Sequence, residues 1–274
     1  MKFNLLVLLL GSLLLWSCAE ENQPEQEEVQ TPEISFQNKG HELVYELSQR
    51  VGNYEKLRGL KDVVYTCTYL SPTGQSDVST EKYIFDGELS YGIYERHDRT
   101  LAKLEGTIEQ AYDGEEFWLK HEGELLEDSS ALEGVAFKRP TNFYWFTMFQ
   151  KLLDPGLKYD YLGEKQIEGQ LYDVVAISFD FPSDKPTDIY QIYLNQKSGL
   201  VDQFLFTVVD YGVMEKPLLM QLEYEEVDGL WIPSKRRYKK STWEAEINDQ
   251  PWIEVTWSNI QFNAGLTQED FKAI

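Results

Sequence analysis

The sequence predicts a mainly β chain with few helices, in which a long antiparallel sheet curves around one apolar helix and follows an amphipathic one. Three observations carry this prediction. Beyond Lys61 the apolar residues recur with period two and are largely β-branched or aromatic; Asp-Gly turns punctuate them; and one central segment is apolar on every side. Aromatic residues make up 14% of the chain, which supplies the material for a large core.

The N-terminus comes first in the chain and has its own logic. Met1-Lys2 precede an apolar run from Leu5 to Leu15, followed by Trp16-Ser17-Cys18. Such a run spans only about 16 Å as a helix, against roughly 30 Å of bilayer hydrocarbon, so it reads as a cleaved signal, residues 1–17, rather than a membrane span. The cysteine directly after Ser17 resembles the lipobox of bacterial lipoproteins, although Trp16 stands where that pattern prefers a small residue. The resemblance implies lipidation of Cys18 and a protein held on a membrane by its acyl chains. Residues 18–33 are rich in Gln, Glu and Pro and lack aromatics, the composition of a flexible tether. Glu20-Glu21 resemble the surface-export signal of Bacteroidota lipoproteins, and a plain solvated spacer accounts for them equally well.

Residues 34–274 are the expected folded domain, of a size that one all-β domain can occupy. In His41 to Leu60, Leu43, Val44, Leu47, Val51, Tyr54 and Leu57 form one stripe, which predicts a single helix ending at Gly59. Strands are expected at 62–70, 79–85, 89–97, 107–112 and 116–121, with Asp86-Gly87 and Asp113-Gly114 as hairpin turns. A second block covers 158–162, 170–181, 188–194, 200–211, 218–227, 230–241 and 251–262. Within 170–181 one face is apolar and the other semi-apolar, which predicts a curved sheet wrapped around something rather than a flat sheet half in water.

Between the two blocks, Asn142 to Leu153 carries Phe143, Trp145, Phe146, Phe149 and Leu152 with almost no polar stripe. A helix is predicted here, capped by Thr141 or Asn142 after Pro140 and stopped by Asp154-Pro155-Gly156. Laid on the concave face, those five residues are the candidate ligand-binding set; a plain core helix is the other reading.

Composition narrows the function. The chain has 25 Lys and Arg against 47 Asp and Glu, a formal charge of −22, which repels phosphate backbones and disfavours nucleic-acid binding. Cys67 has no intramolecular partner once Cys18 is lipidated, and its place in a predicted strand suits a buried thiol. His97 and His121 stand beside Glu95, Asp98 and Glu122, but the spacing is not that of a zinc site, and no cofactor is expected. No nucleophile elbow, metalloprotease helix or phosphate loop is present, so no catalytic residue is assigned and the chain is read as non-enzymatic. The run Lys235-Arg236-Arg237-Tyr238-Lys239-Lys240 is an anomaly in so acidic a chain. As a strand it sets Lys235, Arg237 and Lys239 on one face, either to contact an anionic group or an acidic partner, or as the lysine guard of an edge strand offset by Glu223, Glu225 and Glu226.

Taken together, the lipobox, the first helix, the long strand run, the central insertion, the strand pair Asp188–Phe204 and the segment Tyr224–Pro233 resemble the LolA/LolB-type lipoprotein carrier and receptor superfamily. The phrases Phe143-Tyr144-Trp145-Phe146, Leu153-Asp154-Pro155-Gly156 and Leu200-Val201-Asp202-Gln203-Phe204 are similar to a Bacteroidota lipoprotein family of unassigned function. The resemblance implies an open β half-barrel with helices over its mouth and a concave apolar surface for an acyl chain, lipid or other hydrophobic ligand. It also implies a place in the cell envelope, at the outer membrane. Two functions fit: an anchored protein that binds a hydrophobic ligand, and a lipoprotein with a self-filled barrel whose surface engages an envelope protein or glycan.

Overall fold

Helix α1, Lys39–Val51, begins where the Asn38 side chain accepts from the His41 N–H at 3.1 Å, and it buries Val44, Leu47 and Val51. The expected single helix is in fact two, because Gly52 adopts φ 91° and ends α1. Asn53 then caps α2, Tyr54–Gly59, through the Lys56 N–H at 2.9 Å. A side chain at Gly52 would be strained at that φ, and its Cβ would lie 2.2 Å from Leu230 Cδ2. The computed structural model describes residues 34–179 and 186–273, so the signal peptide, Cys18, the tether and the end of the predicted strand 170–181 lie outside the described residues.

Among the described residues the strands form one open antiparallel sheet, a half-barrel. The first block is β1 Asp62–Leu70, β2 Ser76–Ile84, β3 Leu89–His97, β4 Ile108–Tyr112, β5 Phe117–His121 and β6 Glu124–Leu125. The second is β7 Leu157–Ile167, β8 Gln170–Phe179, β9 Ile189–Asn195, β10 Val201–Val208, β11 Val213–Val227, β12 Leu230–Lys240 and β13 Ile253–Phe262. Neighbours in sequence are neighbours in the sheet, with one exception that makes the fold: β1 pairs with β13. The two blocks join along that seam, and β6 and β7 are left as the edges. Helix α3, Ser129–Lys151, runs between those edges in the chain and packs on β3, β4 and β5.

Helix α3 starts well before the expected Asn142. Asp128 caps it by accepting from the Ala131 N–H at 2.8 Å, and Pro140 lies inside it. Proline there removes the hydrogen bond to the Ala136 carbonyl. Ala136 and Pro140 are both exposed, so water can satisfy the freed oxygen, and the helix tolerates a residue that otherwise signals a start.

The face of the sheet carrying the helices holds the main core. One cluster joins α1 and the C-terminal half of α3 to β7–β11 through Leu47, Phe149, Leu152, Ile177, Ile192 and Phe204. A second joins α2 and α3 to β1, β2, β12 and β13 through Leu57, Tyr65, Phe143, Phe146, Leu230 and Trp257. The outer face is covered as well. Trp243 and Trp252, from the connection between β12 and β13, pack on Tyr193, Leu205 and Leu219, and Phe271 packs on Tyr91, Ala111 and Trp118. Asp62 holds that last segment in place by accepting from the Ala264, Gly265 and Leu266 N–H groups. This double cover explains why both faces of 170–179 are apolar: Val175 and Ile177 face the helices, whereas Tyr172 and Val174 face the Trp243 connection.

Candidate functional site

The inner face is not filled throughout. Between α3 and the middle of the sheet lies a cavity of about 430 Å³, within the range of ligand sites. Its helical wall is Lys138, Thr141, Asn142 and Trp145, an i, i+3, i+4, i+7 stripe around Pro140. Its floor follows the alternation of the strands: Tyr65, Cys67 and Tyr69 on β1, Asp77, Ser79 and Glu81 on β2, Arg236 and Tyr238 on β12, Val255 and Trp257 on β13. One side is apolar, built by Phe206 and Val208 of β10 and by Val213, Leu218 and Met220 of β11. Tyr211 stands at 65% exposure beside the cavity and packs edge-on against Phe137, the centroids 4.9 Å apart.

The polar side is hydrogen-bonded in detail. Arg139 is fully buried and pairs with the equally buried Glu81 at 2.9 Å; Tyr94 lies 3.2 Å from its other terminal nitrogen. Glu81 also accepts from Ser79 at 2.7 Å and from Tyr83 at 3.3 Å. Asp77 accepts from the Arg99 N–H at 2.8 Å and from the Thr100 hydroxyl at 2.8 Å, and Lys138 donates to that hydroxyl at 2.7 Å. Burial pulls the Lys138 ammonium down to about 8 and pushes the Cys67 thiol up to about 12. A thiol so raised stays protonated at neutral pH and is a poor nucleophile.

Arg236, buried like Arg139, lacks the carboxylate that Arg139 has. It is 8% exposed, its guanidinium carbon lies 3.7 Å over the Trp257 ring with Trp145 at 6.0 Å, and its Nε, like that of Arg139, has no hydrogen-bond partner. Burial lowers its pKa, yet an arginine remains charged at neutral pH.

A known fold overlies this half-barrel. The crystal structure of a putative outer membrane lipoprotein-sorting protein domain from Vibrio parahaemolyticus matches with a TM-score of 0.50 at 14% identity, covering 85% of this chain and 96% of that one. A DUF1329 family protein from Desulfovibrio piger gives 0.49 at 13% identity, covering 85% and 96%. A LolA superfamily protein from Nitrosomonas europaea gives 0.47 at 9% identity, covering 84% and 97%. Of these three, the Vibrio domain reaches the overlap that marks a shared fold, and at that identity it is the fold alone that is shared. No protein-family model and no curated protein matches the chain.

The residues singled out from sequence scatter. Of the aromatic set, Trp145 lines the cavity; Phe143, Phe146, Phe149 and Leu152 pack into the two core clusters. The basic run does not guard an edge: β12 lies inside the sheet, between β11 and β13. Lys235, Arg237 and Lys239 share the outer face as expected, but each already has a neighbour to bond. Lys235 pairs with Glu223 at 3.2 Å, Arg237 donates to Gln221 at 2.9 Å, and Lys239 donates to the carbonyls of Asn248 and Gln250. The cation that enters the cavity is Arg236, from the opposite face of the same run. His97 places both ring nitrogens on carbonyl oxygens, of Thr100 at 2.9 Å and Gly106 at 2.8 Å, and His121 contacts the Glu105 carbonyl. These histidines hold the 98–107 connection. A helix capped by Thr141 or Asn142 after Pro140 leaves out Lys138 and its spacing with Thr141, Asn142 and Trp145, which emerges once the helix is continued through Pro140.

Proposed function

We propose that this chain is an envelope lipoprotein, anchored through Cys18 at the outer membrane, which shelters a hydrophobic ligand such as a lipid or acyl chain and performs no chemistry on it. The observation that carries the reading is the cavity between α3 and the sheet, with Phe206, Leu218 and Met220 on one side. The lipobox-like N-terminus and the lipoprotein-sorting fold support it. The competing reading, a barrel filled by its own side chains that acts through its surface, describes the Phe143 and Phe149 clusters well but leaves this cavity unexplained.

Native mass spectrometry of the full chain, followed by organic extraction, tests the proposal. The expected result is a stoichiometric lipid-like adduct beyond the mass of the anchored chain. A bare mass that stays bare after incubation with envelope lipids overturns it in favour of the surface-acting lipoprotein.

A further inference from the structure

We infer that the cavity accepts an amphipathic ligand with an anionic head, a phosphate or carboxylate on an apolar chain, and that Arg236 receives that head. The inference rests on the hydrophobic-ligand reading and adds to it the chemistry of the ligand's polar end.

Arg236 is a buried cation without an anion. Among the described residues, no carboxylate lies within ion-pair distance of it. The groups that act on it most strongly are the Cys67 thiol and the hydroxyls of Tyr65, Tyr83 and Tyr238. The acidic residues of the cavity are engaged elsewhere, Glu81 by Arg139 and Asp77 by the Arg99 N–H and Thr100. Desolvating a charge is costly unless it is paired, and the contact with Trp257 offsets only part of the cost. The chain has 47 acidic residues, so the lack of a carboxylate beside Arg236 is not a matter of composition.

The surroundings specify what fills it. The Arg236 guanidinium carbon lies 3.7 Å over the Trp257 ring, and an arginine carries a rigid fork of N–H donors suited to two oxygens of one phosphate or carboxylate. The apolar path begins on the neighbouring strand: Arg236 is in register with Leu222, Tyr238 with Met220 and Lys240 with Leu218. Met220 and Leu218 therefore step away from Arg236 along the inner face, toward Phe206 and Val208. Head and tail sites are thus adjacent and distinct.

The test is a titration of the full chain carrying Cys18→Ser, so that no attached lipid competes, followed by tryptophan fluorescence from the rings beside Arg236. Four probes separate the terms: dodecyl phosphate, dodecanoate, dodecanol and inorganic phosphate. The expected result is that both anionic amphiphiles bind about tenfold or more tighter than dodecanol, the worth of a charge-assisted hydrogen bond, with inorganic phosphate far weaker. Arg236→Met should erase the preference and leave dodecanol binding in place, and Arg236→Lys should restore part of it. Equal affinity of the unaltered chain for dodecyl phosphate and dodecanol overturns the inference with no variant needed. Inorganic phosphate binding as tightly as dodecyl phosphate overturns it too, as a free-anion site. If dodecanol and the anionic amphiphiles all fail to bind, the hydrophobic-ligand reading itself fails.

Discussion

Two buried arginines face the interior of this half-barrel and have been treated oppositely by the fold. Arg139, on α3, has no exposed surface and is met by Glu81, with Tyr94 also in reach. Even the backbone accommodates it: a Cβ at Gly92 would stand 2.5 Å from its Nη1 and 2.9 Å from Glu81 Oε1. Arg236, on β12, is buried nearly as deeply, lies over the Trp257 ring and has no carboxylate beside it among the described residues. Burial alone therefore does not tell a structural cation from a functional one; the difference lies in whether the chain supplies the counter-charge.

The comparison can be broken most severely at the paired site. Arg139→Met leaves the Glu81 carboxylate buried and uncompensated, and should cost about 3–5 kcal/mol, read from the midpoint of denaturant unfolding. Arg236→Met removes a charge that has no partner, so its unfolding midpoint should stay level or rise; a loss comparable to that of Arg139→Met would mean that the two arginines do the same job. Gly92→Ala probes the accommodation itself. The ion pair is pinned by burial and cannot swing away, so overpacking should cost about 1–3 kcal/mol, and wild-type stability in this variant would show that the pair has room to move.

A smaller effect sharpens the contrast through pH. Burial holds Lys138 at about 8, below the 10.5 of an unfolded lysine, so between those values the unfolded chain binds more protons than the folded one. Stability from this group is therefore lowest below pH 8 and rises toward pH 10.5, on the order of 1 kcal/mol after allowance for its partial exposure. Unfolding measured across that window in the native chain and in Lys138→Met should differ in slope, the native chain rising more steeply. Identical slopes would place Lys138 in water.

How much of this was legible beforehand follows from the kind of order each part has. Strands β1 and β3 are read to the residue, because Val63-Tyr65 and Tyr91-Tyr94 alternate between two unlike surroundings and glycine turns bound them. The apolar stripe runs on through Gly52-Asn53 and predicts one helix, whereas the positive φ of Gly52 and the cap at Asn53 make two. The basic run shows the same limit. Its alternation separates Arg236 from Arg237 correctly, but which face is inner depends on β12 lying between β11 and β13, and that is decided by pairing across the whole sheet. The cavity followed suit, since its wall depended on a helix continuing through Pro140 and its floor on β1 meeting β13.

The seam between β1 and β13 also governs how the molecule can be made and cut. A sheet whose middle is stitched by strands from opposite ends of the domain cannot be completed progressively during synthesis; the blocks β2–β6 and β7–β12 can collect local hairpin contacts, but they remain two pieces until β13 arrives. Such closure pays a long loop before any reward, which sets a slow final step. For the same reason, a truncation that removes β13 does not shave an edge. It divides the sheet at its centre, and it takes Trp257, the support of Arg236, along with it.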